Sequence, residues 1–191
     1  MTLVGDGVPG ALLSFYELDR TMTKQQQVVV VGGGVIGLLT AFNLATQGLA
    51  VVVLDRSSVG QESSWAGGGI VSPLYPWRYS PAVTALAHWS QDFYPQLAQR
   101  LFAATGVDPE VHTTGLYWLD LDDEADALAW AAREGRPLSK VDVSAARDAV
   151  PVLGAGFAEA IYMANVANVR NPRLIKSLKA ALLALPGVTL H

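Results

Sequence analysis

The amino-acid sequence predicts an α/β fold that is built on a parallel sheet. Residues 27–31 place four valines after Gln27, and an unbroken β-branched run is typical of a strand covered on both faces. A glycine-rich turn follows at once, and residues 35–45 then supply an apolar segment of helical length. Residues 49–54 form a second apolar run. A strand, a helix and a strand in this order predict two parallel strands with the helix packed on them.

The next elements are predicted from turn signals and apolar spacing. Gly48 ends the first helix, as a glycine just past a helix C-terminus commonly does. Residues 56–80 are rich in Ser, Gly and Pro and are predicted to be irregular, and loops of this length tend to be functional. A long helix is predicted over 81–105, with Pro95 as a point where it can kink or split. A strand is predicted over 113–121.

Shorter elements follow in the middle of the chain. Asp122 is predicted to cap a helix that runs to about Glu134. A short helix is then predicted over 141–150, and a strand over 158–163.

The last part of the chain returns to the pattern with which the fold begins. Asn171 is predicted as the N-cap of a helix and Pro172 as its first residue, since both residue types are favoured there. That helix is expected to reach about Leu185. Residues 188–190 then begin a new strand, so we expect a sheet with an unpaired edge, which is an aggregation hazard.

Composition excludes several classes of protein. Among 191 residues, 51% are hydrophobic and 16% charged, which supports a packed core. The net charge of −4 with no basic block argues against a nucleic-acid partner. The absence of cysteine excludes disulfides, thiolate metal sites and a cysteinyl cofactor link. No apolar run approaches the length of a membrane span, and the expected location is the cytoplasm.

The motif that carries chemistry is Gly32-x-Gly34-x-x-Gly37, which lies between the first strand and the first helix. Gly32 permits a tight turn, Gly34 admits a pyrophosphate close to the backbone, and Gly37 lets the helix pack closely on the strand. The helix N-terminus offers free N–H groups to phosphates. Asp55 ends the second strand, where a carboxylate accepts hydrogen bonds from ribose hydroxyls and repels a 2′-phosphate. The sequence therefore predicts a Rossmann-like dinucleotide site for FAD or NAD and disfavours NADP.

The loop after Asp55 favours FAD. Residues 60–73 read Gly-Gln-Glu-Ser-Ser-Trp-Ala-Gly-Gly-Gly-Ile-Val-Ser-Pro, and this segment resembles the D-amino acid oxidase family of flavoenzymes. The resemblance implies that Ser63 and Ser64 lie at the pyrophosphate, and that the small residues after them pass beside the flavin ring. Hydroxyls suit phosphate oxygens, and glycines let a flat ring approach the backbone.

The predicted FAD contacts combine the motif with this resemblance. They are Gly32, Gly34, Val35, Ile36, Gly37, Asp55, Arg56, Ser63, Ser64, Gly68, Gly69 and Ile70. The flavin is expected to be bound non-covalently. Because no residue here is a necessary acid or base in the implied reaction, no catalytic residue is predicted. His88, His112 and His191 lack metal-ligand spacing, so no metal site is predicted.

The resemblance also implies an activity. Members of the family oxidise a small amino acid to the imino acid, which water converts to the keto acid, while dioxygen is reduced to hydrogen peroxide. The likeness is greatest to the glycine-oxidase branch, which serves bacterial thiamine (thiazole) biosynthesis. The implied partners are a small amino acid and dioxygen, with a homo-oligomer possible for a full-length protein. An NAD-dependent dehydrogenase and a non-catalytic nucleotide-binding fragment are the alternatives.

The resemblance divides the chain into four parts. Residues 1–21 are expected to be an irregular extension, because they lack the basic start and apolar core of a signal peptide. Residues 22–80 are expected to be the first segment of an FAD-binding domain, and residues 81–163 a linking helix with part of a mixed α+β substrate domain. Residues 164–191 return to the FAD-binding domain. Family members are about twice this length, so we expect a truncated N-terminal half, and its activity alone stays open.

Overall fold

The computed structural model describes residues 27–191. The predicted extension at residues 1–21 therefore lies outside the described residues. The strands are β1 (Gln27–Val31), β2 (Ala50–Leu54), β3 (His112–Thr113), β4 (Leu116–Leu119), β5 (Leu138–Val141), β6 (Ala160–Met163), β7 (Ala167–Asn168) and β8 (Val188–Leu190). The α-helices are α1 (Val35–Thr46), α2 (Ser63–Ala66), α3 (Pro81–Thr105), α4 (Glu124–Glu134), α5 (Val143–Ala149) and α6 (Asn171–Leu183), with a 3₁₀ turn at Pro76–Arg78. None of the helices within this range is both long and apolar enough to cross a lipid bilayer.

The first sheet is parallel and has the strand order β1-β2-β8. Val28 of β1 lies opposite Val51 of β2, and Val53 of β2 lies opposite Leu190 of β8. The α/β class predicted from the sequence is confirmed, and so is the parallel pairing of the first two strands. β8, predicted from the last residues, joins the same sheet beside β2.

Both long helices next to this sheet pack on the same face of it. α1 and α6 contact each other, and α1 also contacts β2. Their buried side chains form one core with the inward-facing residues of β2, namely Leu38, Ala41, Phe42, Val51, Val53, Leu174, Leu178 and Leu182. Burial of these apolar side chains is the main stabilising contribution to this part of the fold.

The opposite face of the sheet is open. Val29 is 54% exposed, Val31 84% and Leu54 40%; the exposed residues of β1 alternate with half-buried ones, and Leu54 follows the buried Val53 in β2. Parallel sheets are usually covered on both faces. Within residues 27–191, β1 and β8 are the outer strands, so the first sheet combines a bare apolar face with free edges.

A second, antiparallel sheet has the order β4-β6-β5. Helix α4 packs on one face of it, where Trp118, Trp130, Ile161 and Met163 are all buried. Trp118 donates its indole N–H to the carbonyl of Leu74 at 2.8 Å. This bond connects the second sheet to the segment that runs between α2 and α3.

Two short pairings join the two parts of the chain. β3 pairs with β7, and Ile70 forms an antiparallel bridge with Asn168. Val71 donates its N–H to the carbonyl of Ala167 at 2.9 Å. The loop that follows α2 is therefore fixed against the strand that leads into α6.

The structure corrects several details predicted from the sequence. The predicted strand over 113–121 is divided between β3 and β4 at Gly115, whose φ is +75°; a Cβ there would lie 2.1 Å from the hydroxyl of Tyr162. β5 was not predicted, because only its first residue, Leu138, is buried. Pro95 does not split the long helix, which is continuous from Pro81 to Thr105.

Both predicted helix caps are wrong. The residue before α4 is Asp123, not Asp122, and it makes no capping hydrogen bond. Asn171 is the first residue of α6 after Arg170, and its side-chain amide donates to the carbonyl of Gly67 at 2.9 Å. Asp142 instead caps α5, since its carboxylate accepts from the N–H of Ser144. Asp123 and Asn171 each bond through the side chain to a distant partner and not to the start of the helix.

Asp123 is held by the 3₁₀ turn. Its carboxylate accepts from the indole N–H of Trp77 at 2.7 Å and from two nitrogens of Arg78 at 2.7 Å and 2.9 Å. The bond from Arg78 and then that from Trp77 lower the pKa of Asp123 from 3.8 to about 2. The carboxylate therefore ties the segment after α2 to the start of α4.

This tie predicts a pH-dependent contribution to stability. A carboxyl whose pKa is lower in the folded state stabilises the fold above its unfolded pKa, and that contribution is lost as the pH falls from about 4 to about 2. We expect Asp123→Asn to lower the melting temperature by a few degrees at pH 6, with the difference from wild type vanishing towards pH 2. Thermal unfolding followed by circular dichroism measures this. Asp126→Asn in the same helical turn is the control, and an equal effect of both variants would contradict the assignment.

The bare face of the first sheet predicts self-association. Val29→Lys places a charge on that face, and charges there oppose edge-to-edge and face-to-face pairing. We expect the variant to shift the chain towards the monomer at equal concentration, as measured by size-exclusion chromatography with light scattering. Val152→Lys is the matched control, because Val152 is 92% exposed and lies outside the sheet. A wild-type chain that is already monomeric at high concentration would refute the prediction.

Candidate cofactor site

The glycine-rich turn connects β1 directly to α1. Gly32 has a φ of +103°, a conformation that glycine adopts without steric cost, and donates its N–H to the carbonyl of Leu54 at 2.7 Å. α1 begins at Val35 with Gly34 as N-cap; the N-cap has no side chain to cap the helix, and the first turn holds no acidic residue. The helix N-terminus therefore keeps its partial positive charge for an anion.

Two of the glycines leave little or no room for a side chain. A Cβ on Gly37 would lie 1.8 Å from the carbonyl oxygen of Gly32, so α1 sits directly against the turn. A Cβ on Gly34 would lie 3.1 Å from the hydroxyl of Ser64. Gly37 therefore lies at the close helix–turn approach for which the motif selects it, whereas the neighbour of Gly34 is a side-chain hydroxyl and its contact with a pyrophosphate stays a prediction.

Asp55 connects the end of β2 to the same turn. One carboxylate oxygen accepts from the N–H of Gly33 at 2.6 Å, and the other accepts from the N–H of Ser57 at 3.0 Å. The N–H groups of Ser57 and then Gly33 lower the pKa of Asp55, so the carboxylate stays charged at neutral pH. Each oxygen accepts more than one hydrogen bond, which leaves capacity for the hydroxyls of a ribose.

The two serines lie at the N-terminus of α1. The hydroxyl oxygen of Ser64 accepts from the N–H of Val35 at 2.9 Å, which leaves the hydroxyl proton to be donated to a bound anion. Arg56 has a different arrangement. Its guanidinium pairs with Glu62 at 2.9 Å and its side chain is 83% exposed, so in this structure its charge is directed to Glu62.

Two cavities meet at the serines. The first, here called the turn cavity, has a volume of about 480 Å³ and is lined by Val30, Val31, Gly32, Gly34, Val35, Ile36, Gly37, Thr40, Ser63 and Ser64. The second, here called the loop cavity, has a volume of about 470 Å³ and is lined by Val35, Ser63, Ser64, Gly67, Gly68, Gly69, Ile70, Val71, Tyr94, Val169, Asn171 and Leu174. Because Val35, Ser63 and Ser64 line both, the cavities lie side by side at the N-terminus of α1.

The loop cavity depends on the close approach of two segments. Gly69 has a φ of +75°, and a Cβ on it would lie 2.1 Å from the carbonyl oxygen of Val169. Val169 in turn donates its N–H to the carbonyl of Gly69 at 2.8 Å. Gly68 has no atom within 4 Å of a Cβ position. The backbone at Gly68 therefore has open space beside it, and its predicted contact with a flat ring stays a prediction.

Sequence reasoning missed several residues of this cavity. Tyr94, from α3, is half-buried, and burial raises the pKa of its hydroxyl. Val169, Asn171 and Leu174 belong to the segment that leads into α6. No local pattern assigns them to the site, because only the folded chain brings them beside the glycines.

All the predicted cofactor residues except Asp55 and Arg56 line one or both cavities. Asp55 reaches the turn through its bond to Gly33. Their role in binding FAD stays a prediction. Among residues 27–191, no group of three or more His, Asp or Glu side chains is arranged to hold a metal ion.

The parallel βαβ unit, the exposed helix N-terminus and the charged Asp55 define a dinucleotide-binding protein of the Rossmann-like class. Comparison with known proteins identifies its family. Residues 27–191 match the DAO family, described as FAD dependent oxidoreductase. The chain belongs to this family.

Relatives and solved structures agree with the family assignment. The chain is 84% identical over 166 residues to a glycine oxidase of Pseudomonas putida, covering 87% of the chain and 46% of that protein. It is 66% identical to a glycine oxidase of Pseudomonas aeruginosa, with the same coverage of both chains. The crystal structure of glycine oxidase from Geobacillus kaustophilus superposes with a TM-score of 0.76 at 28% identity, covering 87% of this chain and 46% of that one. The chain thus spans about half the length of the curated relatives it matches.

The residues present fit the ADP part of FAD. The turn has the φ value and the close approaches that the motif needs, and the charged carboxylate of Asp55 lies at the end of the adjacent strand. The loop cavity adds space for a ring at a position where a glycine backbone is open.

Gly37 provides a direct test of this geometry. We expect Gly37→Ala to lower the free energy of unfolding by about 2–3 kcal/mol, because the added methyl overlaps a backbone oxygen and forces α1 away from the turn. Urea unfolding measures the change. Gly68→Ala is the matched control, since a Cβ there meets nothing within 4 Å, and its effect should stay within about 1 kcal/mol. Equal stability of both variants would show that α1 does not pack on the turn in this way.

Proposed function

We propose that this chain is the N-terminal part of an FAD-dependent oxidase that acts on glycine or a similarly small amino acid. The observation that carries the proposal is the pair of neighbouring cavities, one at the glycine-rich turn and one at the loop of Gly68 and Gly69. A dinucleotide with a second ring system needs space of this kind on both sides of its pyrophosphate. The glycine oxidases of two Pseudomonas species, which this chain resembles at 84% and 66% identity, support the choice of substrate.

Each part of these two cavities has a role in this proposal. The N-terminus of α1 and the hydroxyls of Ser63 and Ser64 bind the pyrophosphate, because they offer donors at one point. Asp55 accepts hydrogen bonds from the ribose. Gly68 and Gly69 admit the flavin ring, and Ile70, which is 45% exposed, contacts its edge.

When bound, FAD supplies the two-electron oxidant for the amine and passes the electrons to dioxygen, with hydrogen peroxide as product. The residues of this chain orient the cofactor, and none of them is proposed as a catalytic acid or base. The remaining part of the longer relatives would supply the groups that bind the substrate carboxylate. The cofactor is proposed to be non-covalent, since the chain has no cysteine, and the biological role is proposed to be thiazole formation for thiamine in the cytoplasm.

The division of the chain into domains belongs to the same proposal. Residues 22–80 and 164–191 form the FAD-binding part, and residues 81–163 form the linking helix and part of the substrate domain. The pairing of β8 with β2 supports this division, as does the separate sheet of β4, β5 and β6. A homo-oligomer is proposed only for the full-length protein.

Asp55 tests the cofactor assignment in the chain itself. We expect Asp55→Asn to weaken FAD binding about tenfold, which corresponds to the loss of about 1.4 kcal/mol from charge-assisted hydrogen bonds to the ribose. Quenching of flavin fluorescence on titration with the protein measures the affinity. Asp148→Asn, which removes an exposed acid on α5, is the control for net charge. Wild-type protein that binds NAD and not FAD would favour a dehydrogenase, and protein that binds neither would favour a non-catalytic fragment.

The activity itself requires a longer protein. The chain fused to the part of Pseudomonas putida glycine oxidase that it does not span would restore the full length of that relative. We expect glycine to bleach the flavin colour of this fusion under anaerobic conditions, and to yield hydrogen peroxide in air. A fusion that binds FAD but is reduced by none of the small amino acids would overturn the substrate assignment and leave the cofactor assignment intact.

A further inference from the structure

The turn cavity and the loop cavity are here together called the cofactor groove. A third cavity lies next to this groove and shares no lining residue with it. This cavity, here called the cationic cavity, has a volume of about 400 Å³. Trp65 lines it, although its neighbours Ser63 and Ser64 line the loop cavity. Arg170 and Arg173 line it as well, whereas Val169 and Asn171 line the loop cavity. The short helix α2 and the start of α6 therefore form a wall between the two cavities.

Four positive side chains surround the cationic cavity, and no carboxylate lines it. These side chains are Arg170, Arg173, Lys176 and Lys179. They are concentrated here in a chain whose net charge is −4. Such a concentration of one sign of charge around a concave surface attracts an oppositely charged ligand.

A single acid offsets part of this charge. Glu110 pairs with Arg173 at 2.9 Å and with Arg170 at 3.3 Å, and it does so from a backbone with φ of +56°, which is unfavourable for a residue other than glycine. Lys176 and Lys179 have no ion-pair partner within residues 27–191; Lys179 has only a 3.4 Å bond to the carbonyl of Val59. The two arginines are thus held in place, and the two lysines remain available.

Apart from Gln61, the rest of the lining is apolar. Trp65 is 48% exposed, and Val59, Pro172 and Ile175 complete the apolar part of the cavity. A half-exposed indole offers a flat surface for stacking and for contact with apolar rings. Small-molecule sites combine apolar walls with a few convergent polar groups in this way.

We propose that the cationic cavity binds a small aromatic anion, such as a heteroaromatic phosphate or carboxylate. The ring stacks on Trp65, and the anionic group lies between the lysines and arginines of α6. The volume suits one such molecule and is too small for a protein segment of any length. This site is separate from the cofactor groove, and the proposal holds whether or not the chain binds FAD.

Three probes test the proposal on the full chain by isothermal titration calorimetry. 1-Naphthyl phosphate carries both features, inorganic phosphate carries only the charge, and 1-naphthol carries only the ring. We expect 1-naphthyl phosphate to bind with one site per chain and more tightly than either of the others. Binding of inorganic phosphate with equal affinity would overturn the aromatic part, and no binding of 1-naphthyl phosphate would overturn the whole proposal.

Variants test whether the probe binds in this cavity. Lys176→Gln combined with Lys179→Gln should weaken 1-naphthyl phosphate binding about tenfold through two lost charge contacts. Arg133→Gln with Lys140→Gln removes the same charge elsewhere on the surface and should leave the affinity unchanged. Ser64→Ala, in the wall of the cofactor groove, should also leave it unchanged. An equal loss in both double variants would show non-specific attraction, and a loss only in Ser64→Ala would place the probe in the cofactor groove.

A substitution of Trp65 separates the contribution of ring stacking to binding from the contribution of charge. Trp65→Ala should weaken the binding of 1-naphthyl phosphate and leave that of inorganic phosphate unchanged. Unfolding midpoints of all variants within the error of wild type show that the fold is intact. A Trp65→Ala variant that binds 1-naphthyl phosphate as tightly as wild type would refute the stacking interaction.

Discussion

The close approach of α1 to the glycine-rich turn is the constraint on which the rest of the site depends. A Cβ on Gly37 would lie 1.8 Å from the carbonyl oxygen of Gly32, so only a glycine lets the helix start this near to the end of β1. This approach fixes where the N-terminus of α1 points. Asp55 and Ser64 then reach the same place from other elements, by bonds to Gly33 at 2.6 Å and to Val35 at 2.9 Å. One backbone contact thereby aligns a partial positive charge, a carboxylate and a hydroxyl.

The first sheet supports this arrangement from one side only. α1 and α6 cover one face, while Val29 and Val31 on the other face are more than half exposed. The turn is attached to β1, which is an outer strand within the described residues. Because a ligand that binds only the folded state stabilises the fold to an extent set by its concentration relative to its Kd, a cofactor bound at this turn would also stabilise the sheet. The stability of the first sheet therefore depends on its uncovered face and on whether a ligand occupies the cofactor groove.

Local signals were sufficient for the elements that the site is built on. The glycine pattern, the valine run of β1 and the apolar segment of α1 are all encoded within a few residues of one another, so their structure follows from short-range sterics and periodicity. The long helix over 81–105 was predicted with its observed bounds, since Pro at its start and Gly106 just beyond its end mark both limits.

The features that sequence reasoning missed depend on contacts between distant residues. Asn171 bonds to Gly67, which lies 104 positions earlier. The local sequence predicts instead that the side chain of Asn171 caps α6. Gly115 interrupts a strand because the ring of Tyr162 lies against it. β5 pairs with β6 through its backbone, although its side chains show too little apolar alternation to mark a strand. Tyr94 and Val169 enter the loop cavity in the same way, by position in the fold and by no local motif.

The wall between the cofactor groove and the cationic cavity has consequences for both. α2 contacts the start of α6, and alternate residues of the two segments face opposite sides: Ser64 and Val169 line the groove, and Trp65 and Arg170 line the cationic cavity. A ligand that shifts Trp65 therefore acts on the same short helix that carries Ser64 to the N-terminus of α1. Coupling between two binding sites is reciprocal, so an effect of an anion on cofactor affinity requires an equal effect of the cofactor on anion affinity. The short helix is the element through which both effects would pass, because its adjacent residues Ser64 and Trp65 line different cavities and Ser64 bonds to the N-terminus of α1.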